Sequence, residues 1–125
     1  MDLIIGGAYQ GKLDYAKKAF DVGGDDIYIC SEDADIDFSR RCVDRIEEYT
    51  LRCVRSGCDA VERFRAEKDR WQDSILICQD ILCGVVPMGA DMRAWREMTG
   101  KLCAYLSSEA ESVTRMFCGL PQRLK

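Results

Sequence analysis

Apolar positions along this chain come in short continuous runs separated by stretches in which they recur every three or four residues. Leu3-Ile4-Ile5 is such a run, closed by Gly6-Gly7. From Lys12 to Phe20 the apolar positions Tyr15, Ala16, Ala19 and Phe20 follow a helical period, which Gly23-Gly24 ends. Asp26-Ile27-Tyr28-Ile29-Cys30 predicts a second strand, and residues 31–37 an acidic, polar loop. From about Phe38 the helical period returns, with Cys42, Ile46, Tyr49 and Cys53 on one face. Ser56-Gly57 interrupts it, and Ala60, Val61 and Phe64 start a second face. The charge-rich stretch Arg63 to Arg70 reads as a solvated helical surface.

Ser74-Ile75-Leu76-Ile77-Cys78 is apolar throughout and predicts a central strand buried on both faces. Cys83 to Pro87 then turns the chain. Asp91 is placed to cap a helix carrying Met92, Trp95, Leu102 and Leu106. Val113 to Cys118 is the last apolar run, and Gly119-Leu120-Pro121 leads into a basic tail, Arg123 and Lys125, expected to be unordered. Strand and helix alternate. The expected fold is therefore α/β: one domain over residues 1–125, with a small, mainly parallel sheet and flanking helices. There is no internal repeat and no linker.

Composition narrows this. The 125 residues are 47% apolar and 32% charged, a globular balance. A net charge of −4 argues against nucleic acid as partner. No apolar run is long enough to span a bilayer, and Met1 to Lys12 lacks a signal-peptide pattern, so a cytosolic protein is expected. Eight cysteines occur without a CxxC pair, mostly in apolar or amphipathic stretches, and are expected as buried thiols. There is no histidine, which removes the commonest general base and a frequent metal ligand.

The candidate chemistry lies at the first strand–helix junction. Gly6-Gly7-Ala8-Tyr9-Gln10-Gly11-Lys12 fits the first seven positions of GxxxxGK[ST]. Glycines there let successive N–H groups curl around one anion, and the helix that follows adds its dipole. Lys12 would reach the β- and γ-phosphates. The eighth position is Leu13, where a hydroxyl normally coordinates magnesium. The expected fold is thus P-loop NTPase-like, with a nucleotide, ATP or GTP, held at residues 6–13 and magnesium as a possible companion. Arg40, Arg41 and Arg45 could meet phosphates but read first as solvent-facing helix charge, and Trp71 and Trp95 read as packing residues.

Three segments together resemble the bifunctional adenosylcobinamide kinase / adenosylcobinamide-phosphate guanylyltransferases of cobalamin biosynthesis. Gly6-Gly7-Ala8-x-x-Gly11-Lys12 is similar to that family's GGARSGKS opening. Gln79-Asp80-Ile81-Leu82-Cys83-Gly84-Val85-Val86-Pro87 resembles its NEVGxGIVP segment, and Gly119-Leu120-Pro121-Gln122-Arg123-Leu124-Lys125 its C-terminal AGLPxxLK. The resemblance implies phosphorylation of a corrinoid aminopropanol hydroxyl by a nucleoside triphosphate, with Lys12 on the phosphates. It also implies a homo-oligomer. Asp80 stands where the family has a glutamate, and an acid there would order magnesium or polarise the acceptor; it would equally serve to end the strand. Leu82 replaces a family glycine. The family's second reaction, GMP transfer through a guanylylated histidine, does not carry over to a chain without histidine. Two other readings stand beside the kinase: a nucleotide-binding module without catalysis, and a kinase for a different small molecule.

Overall fold

A computed structural model of the chain describes residues 1–81 and 89–125. The elements run β1 (Asp2–Gly6), α1 (Lys12–Phe20), a 3₁₀ turn (Gly24–Asp26), β2 (Ile27–Ile29), β3 (Cys42–Asp44), α2 (Ile46–Ser56), α3 (Ala60–Ala66), α4 (Lys68–Trp71), β4 (Ile75–Gln79), α5 (Ala90–Glu109), β5 (Ser112–Phe117) and β6 (Leu120–Arg123). The turn expected at Cys83 to Pro87, and Leu82, lie outside the described residues.

The described strands form one sheet in the order β2-β3-β4-β1-β5-β6. All pairings are parallel except β5 with β6. Successive side chains of each strand point to opposite faces. Leu3, Val43, Leu76 and Cys78 therefore join the core beneath α2, α3 and α5, while Ile4, Cys42, Ile75 and Ile77 join a smaller core beneath α1. Helices thus cover both faces, as parallel strands require. Leu3, Leu76 and Ile77 are fully buried. Each such side chain stabilises the fold by roughly 1.5–3 kcal/mol, so β1 and β4 make a rigid base for the loops at their carboxyl ends.

Several sequence expectations are met: β1, α1, β4, β5 and the break at Gly57, whose φ of 77° ends α2. Others are corrected. Residues 38–44 are not helical. Cys42 lies on strand β3, and α2 starts only at Ile46. Arg40 and Arg41 therefore carry no helix charge; they precede β3 and donate to the carbonyls of Asp25 and Phe20, each at 2.6 Å. The tail is ordered: β6 pairs antiparallel with β5 through a turn at Cys118 and Gly119, both at positive φ. Gly89 occupies the N-cap of α5, and Asp91 falls in its first turn. Cys30, Cys42, Cys53 and Cys78 are buried as expected, but Cys58 and Cys118 are exposed.

Candidate phosphate site

Three contacts and one left-handed glycine shape the loop between β1 and α1. A Cβ on Gly6 would lie 2.7 Å from the Met116 carbonyl oxygen, so neighbouring β5 admits only glycine there. Gly11 has φ 86° and ψ 24°, a left-handed conformation that glycine adopts without penalty, and α1 opens directly after it. Lys12 Nζ donates to the Gly7 carbonyl at 2.6 Å, folding the ammonium back over the loop. The Cys118 amide donates to Gln10 Oε1, so the β5–β6 turn buttresses the loop from the other end of the chain. Tyr9, at the tip, has φ 60° and is fully exposed. A non-glycine residue at that angle costs about 1–2 kcal/mol, which the burial beneath β1 outweighs. Leu13 is half-buried and packs on the core under α1. The position that would offer a hydroxyl contributes packing instead.

A cleft of about 480 Å³ opens beside this loop, lined by residues 8–14 on one side and by Asp44, Arg45, Glu47, Glu48 and Gln79 on the other. The second wall comes from the end of β3 and the start of α2. Asp44 is 8% exposed and Glu47 5%. The Asp44 carboxylate accepts from the Arg45 amide at 2.7 Å, and Glu47 Oε1 accepts from the Gln79 amide at 2.8 Å. Arg45 has φ 58° and ψ 47°, so the chain enters α2 through a left-handed residue. Behind this wall, Trp95 Nε1 donates to the Glu47 carbonyl at 2.8 Å and to Thr50 Oγ1 at 3.0 Å, tying α5 to α2. Trp95 packs as expected, and Trp71 is fully buried among aromatic neighbours.

Burial sets the electrostatics of the cleft. Burial raises the pKa values of Asp44 and Glu47, against the opposing effect of the amides that bond them. Burial also lowers the Lys12 pKa, while the Glu47 and Asp44 carboxylates push it back up. Two carboxylates and an ammonium share a cleft in which burial penalises the charged form of each. No ion pair involving any of the three occurs among the described residues.

Asp80 is elsewhere. Its amide donates to the Gly6 carbonyl at 2.7 Å, continuing the β1–β4 ladder by one step. With Ile5, Cys78, Gln79, Thr99 and Cys103 it lines a separate cavity of about 130 Å³ under α5. There the neighbouring Cys103 thiol, together with burial, pushes the Cys78 thiol up.

The structure thus brings Ala8, Tyr9, Gln10, Gly11, Lys12 and Leu13 to one cleft, with Gly6 and Gly7 supporting them, and it leaves Asp80 out of that cleft. Sequence reasoning missed Asp44 and Glu47, and it read Arg45 first as helix charge although the cleft includes it. One signal was available: Asp44 follows the apolar pair Cys42-Val43 just as an acid follows a strand end. No family model matches the chain, and no curated protein matches it either. A functional reading therefore rests on the geometry of the cleft and on the motifs of the sequence.

Proposed function

We propose that this protein binds a nucleoside triphosphate with magnesium in the cleft beside the loop, as a P-loop kinase of a small hydroxyl-bearing acceptor. The observation that carries this is the placement of Lys12 and the glycine loop opposite two buried carboxylates, Asp44 and Glu47, at the carboxyl ends of parallel strands. Ligands of open α/β sheets bind at that edge. Charge explains why a metal belongs to the reading. Asp14, Asp44, Glu47 and Glu48 face the cleft against Lys12 and Arg45, so an unaccompanied triphosphate would meet excess negative charge. Asp44 and Glu47 would help hold a divalent cation, whose charge would offset that repulsion. Among the described residues no three metal-ligating side chains converge. Phosphate oxygens and water would complete the shell, as magnesium prefers.

The acceptor is proposed from the family resemblance: a corrinoid with an aminopropanol hydroxyl. A cytosolic, self-associating enzyme belongs to the same reading. No helix of the described residues is long and apolar enough to cross a membrane. One observation favours a second reading, nucleotide binding without turnover. Leu13 packs where a metal-binding hydroxyl would stand.

Calorimetry with ATP and GTP, each with and without magnesium, tests the binding. Magnesium-dependent binding of either is expected, and folded protein that binds neither refutes both readings. Transfer of labelled γ-phosphate to cobinamide, lost in Lys12→Ala, separates the kinase from the binding module.

A further inference from the structure

The cleft contains a second cation that the phosphate loop does not account for. Arg45 lines the wall opposite Lys12, and the two are the only cationic side chains among the described lining residues. They are close enough that the Arg45 charge helps lower the Lys12 pKa. Arg45 is exposed and makes no ion pair among the described residues, although Asp44, Glu47 and Glu48 surround it in sequence. The Asp44 carboxylate bonds its amide at 2.7 Å, and its carbonyl accepts from the Glu48 amide at 2.9 Å. The main chain at Arg45 is therefore fixed, while its guanidinium is left at the cleft.

We propose that Arg45 contacts the distal phosphate of the nucleotide. This rests on the nucleotide reading above and adds a residue that discriminates tri- from mono-phosphate. The loop amides and Lys12 gather the phosphates lying over the loop. A chain of phosphates extending past Lys12 runs toward the β3–α2 wall, where a planar guanidinium donates to two oxygens at once. A monophosphate held by the loop has no group that reaches this wall.

The test compares ATP, ADP and AMP binding, with magnesium, to wild type, Arg45→Gly and Arg45→Lys. Glycine suits the variant because it accepts φ 58° without a Cβ penalty, so thermal stability at or above wild type is expected. Arg45→Asn, which tolerates the same backbone, repeats the comparison if the glycine variant is less stable. The expected result is a loss of about tenfold or more for ATP, a smaller loss for ADP and none for AMP, with Arg45→Lys recovering part of the ATP affinity. Unchanged binding of all three nucleotides makes Arg45 a solvated side chain and overturns the proposal while leaving the nucleotide reading intact. Equal losses for all three also overturn it, because they mean that Arg45 shapes the loop. A wild type that binds none of the three refutes the nucleotide reading first and this proposal with it.

Discussion

Asp44 and Asp80 are the same kind of residue in the same kind of place, with different surroundings. Each is an acid at the carboxyl end of a buried parallel strand, and β3 and β4 are neighbours. Asp44 lies two residues past Cys42, which faces the core under α1; Asp80 lies two residues past Cys78, which faces the core under α5. Side chains alternate along a strand, so this parity sends the two carboxylates to opposite faces of the sheet. Asp44 reaches the cleft with Lys12, and Asp80 reaches the small cavity with Cys103. An acid following an apolar strand is therefore a weak pointer to a site. The face on which the strand delivers it decides what it can do.

The largest expected effect removes the feature that makes one face special. Lys12→Ala should raise the Kd for magnesium–ATP by about 100-fold, roughly 2.7 kcal/mol, because a charge-assisted contact to phosphate is lost. Calorimetry reads this directly, and a change below about threefold would mean that phosphate does not sit beside Lys12. The next effect sets the two acids against each other. Asp44→Asn should cost about tenfold in magnesium-dependent ATP affinity, and Asp80→Asn less than about twofold. The reverse order would move the metal to the α5 face and undo the comparison.

Much of the loop side was legible in the sequence, because the information is local. Gly6 to Lys12 are contiguous, and Leu3-Ile4-Ile5 and Ile75-Leu76-Ile77 are apolar runs that only buried strands explain well. The opposing wall was not legible. Strand β3 is only three residues, Cys42-Val43-Asp44, and Cys42 happens to fall on the helical period of Ile46, Tyr49 and Cys53. A short strand is defined by its neighbours, here β2 and β4, and no local pattern records them. The last strand was hidden for a related reason. Leu120-Pro121-Gln122-Arg123 is exposed throughout and contains a proline, which a sheet tolerates only at an edge. The acids of the opposing wall, Asp44, Glu47 and Glu48, come from more than thirty residues beyond Lys12, so tertiary pairing alone joins them to the loop.

A smaller effect tests the electrostatic side of the comparison. Glu47 and Asp44 bind their protons more tightly in the folded chain than in the unfolded one. The ligand-free protein should therefore lose stability as pH rises from the ordinary carboxylate values through the raised folded values. Glu47→Gln removes its share of that decline and keeps an oxygen to accept the Gln79 amide. Thermal melts should show a stabilisation of about 1 kcal/mol at neutral pH and none at the acid end of the window. Magnesium–ATP should reverse the sign, stabilising wild type more than the variant. A melt that is flat with pH in both proteins would mean that neither carboxylate carries a burial penalty.

The smallest effect concerns what holds the loop against its strand. Gln10 Oε1 receives the Cys118 amide, linking the loop to the β5–β6 turn. Cys118 is exposed, so water replaces the lost acceptor in Gln10→Ala, and the stability cost should stay within about 0.5–1 kcal/mol. The consequence should be local. Hydrogen exchange at the loop amides should quicken while β4 and α5 keep their protection, because burial beneath β1 and β4 is untouched. Affinity for magnesium–ATP should fall by a fewfold, since the ligand must now order a loop that the native glutamine holds in advance. If exchange instead rises equally on both faces of the sheet, the loop is not an independently braced unit. The contrast between the Asp44 and Asp80 sides would then belong to side-chain parity alone.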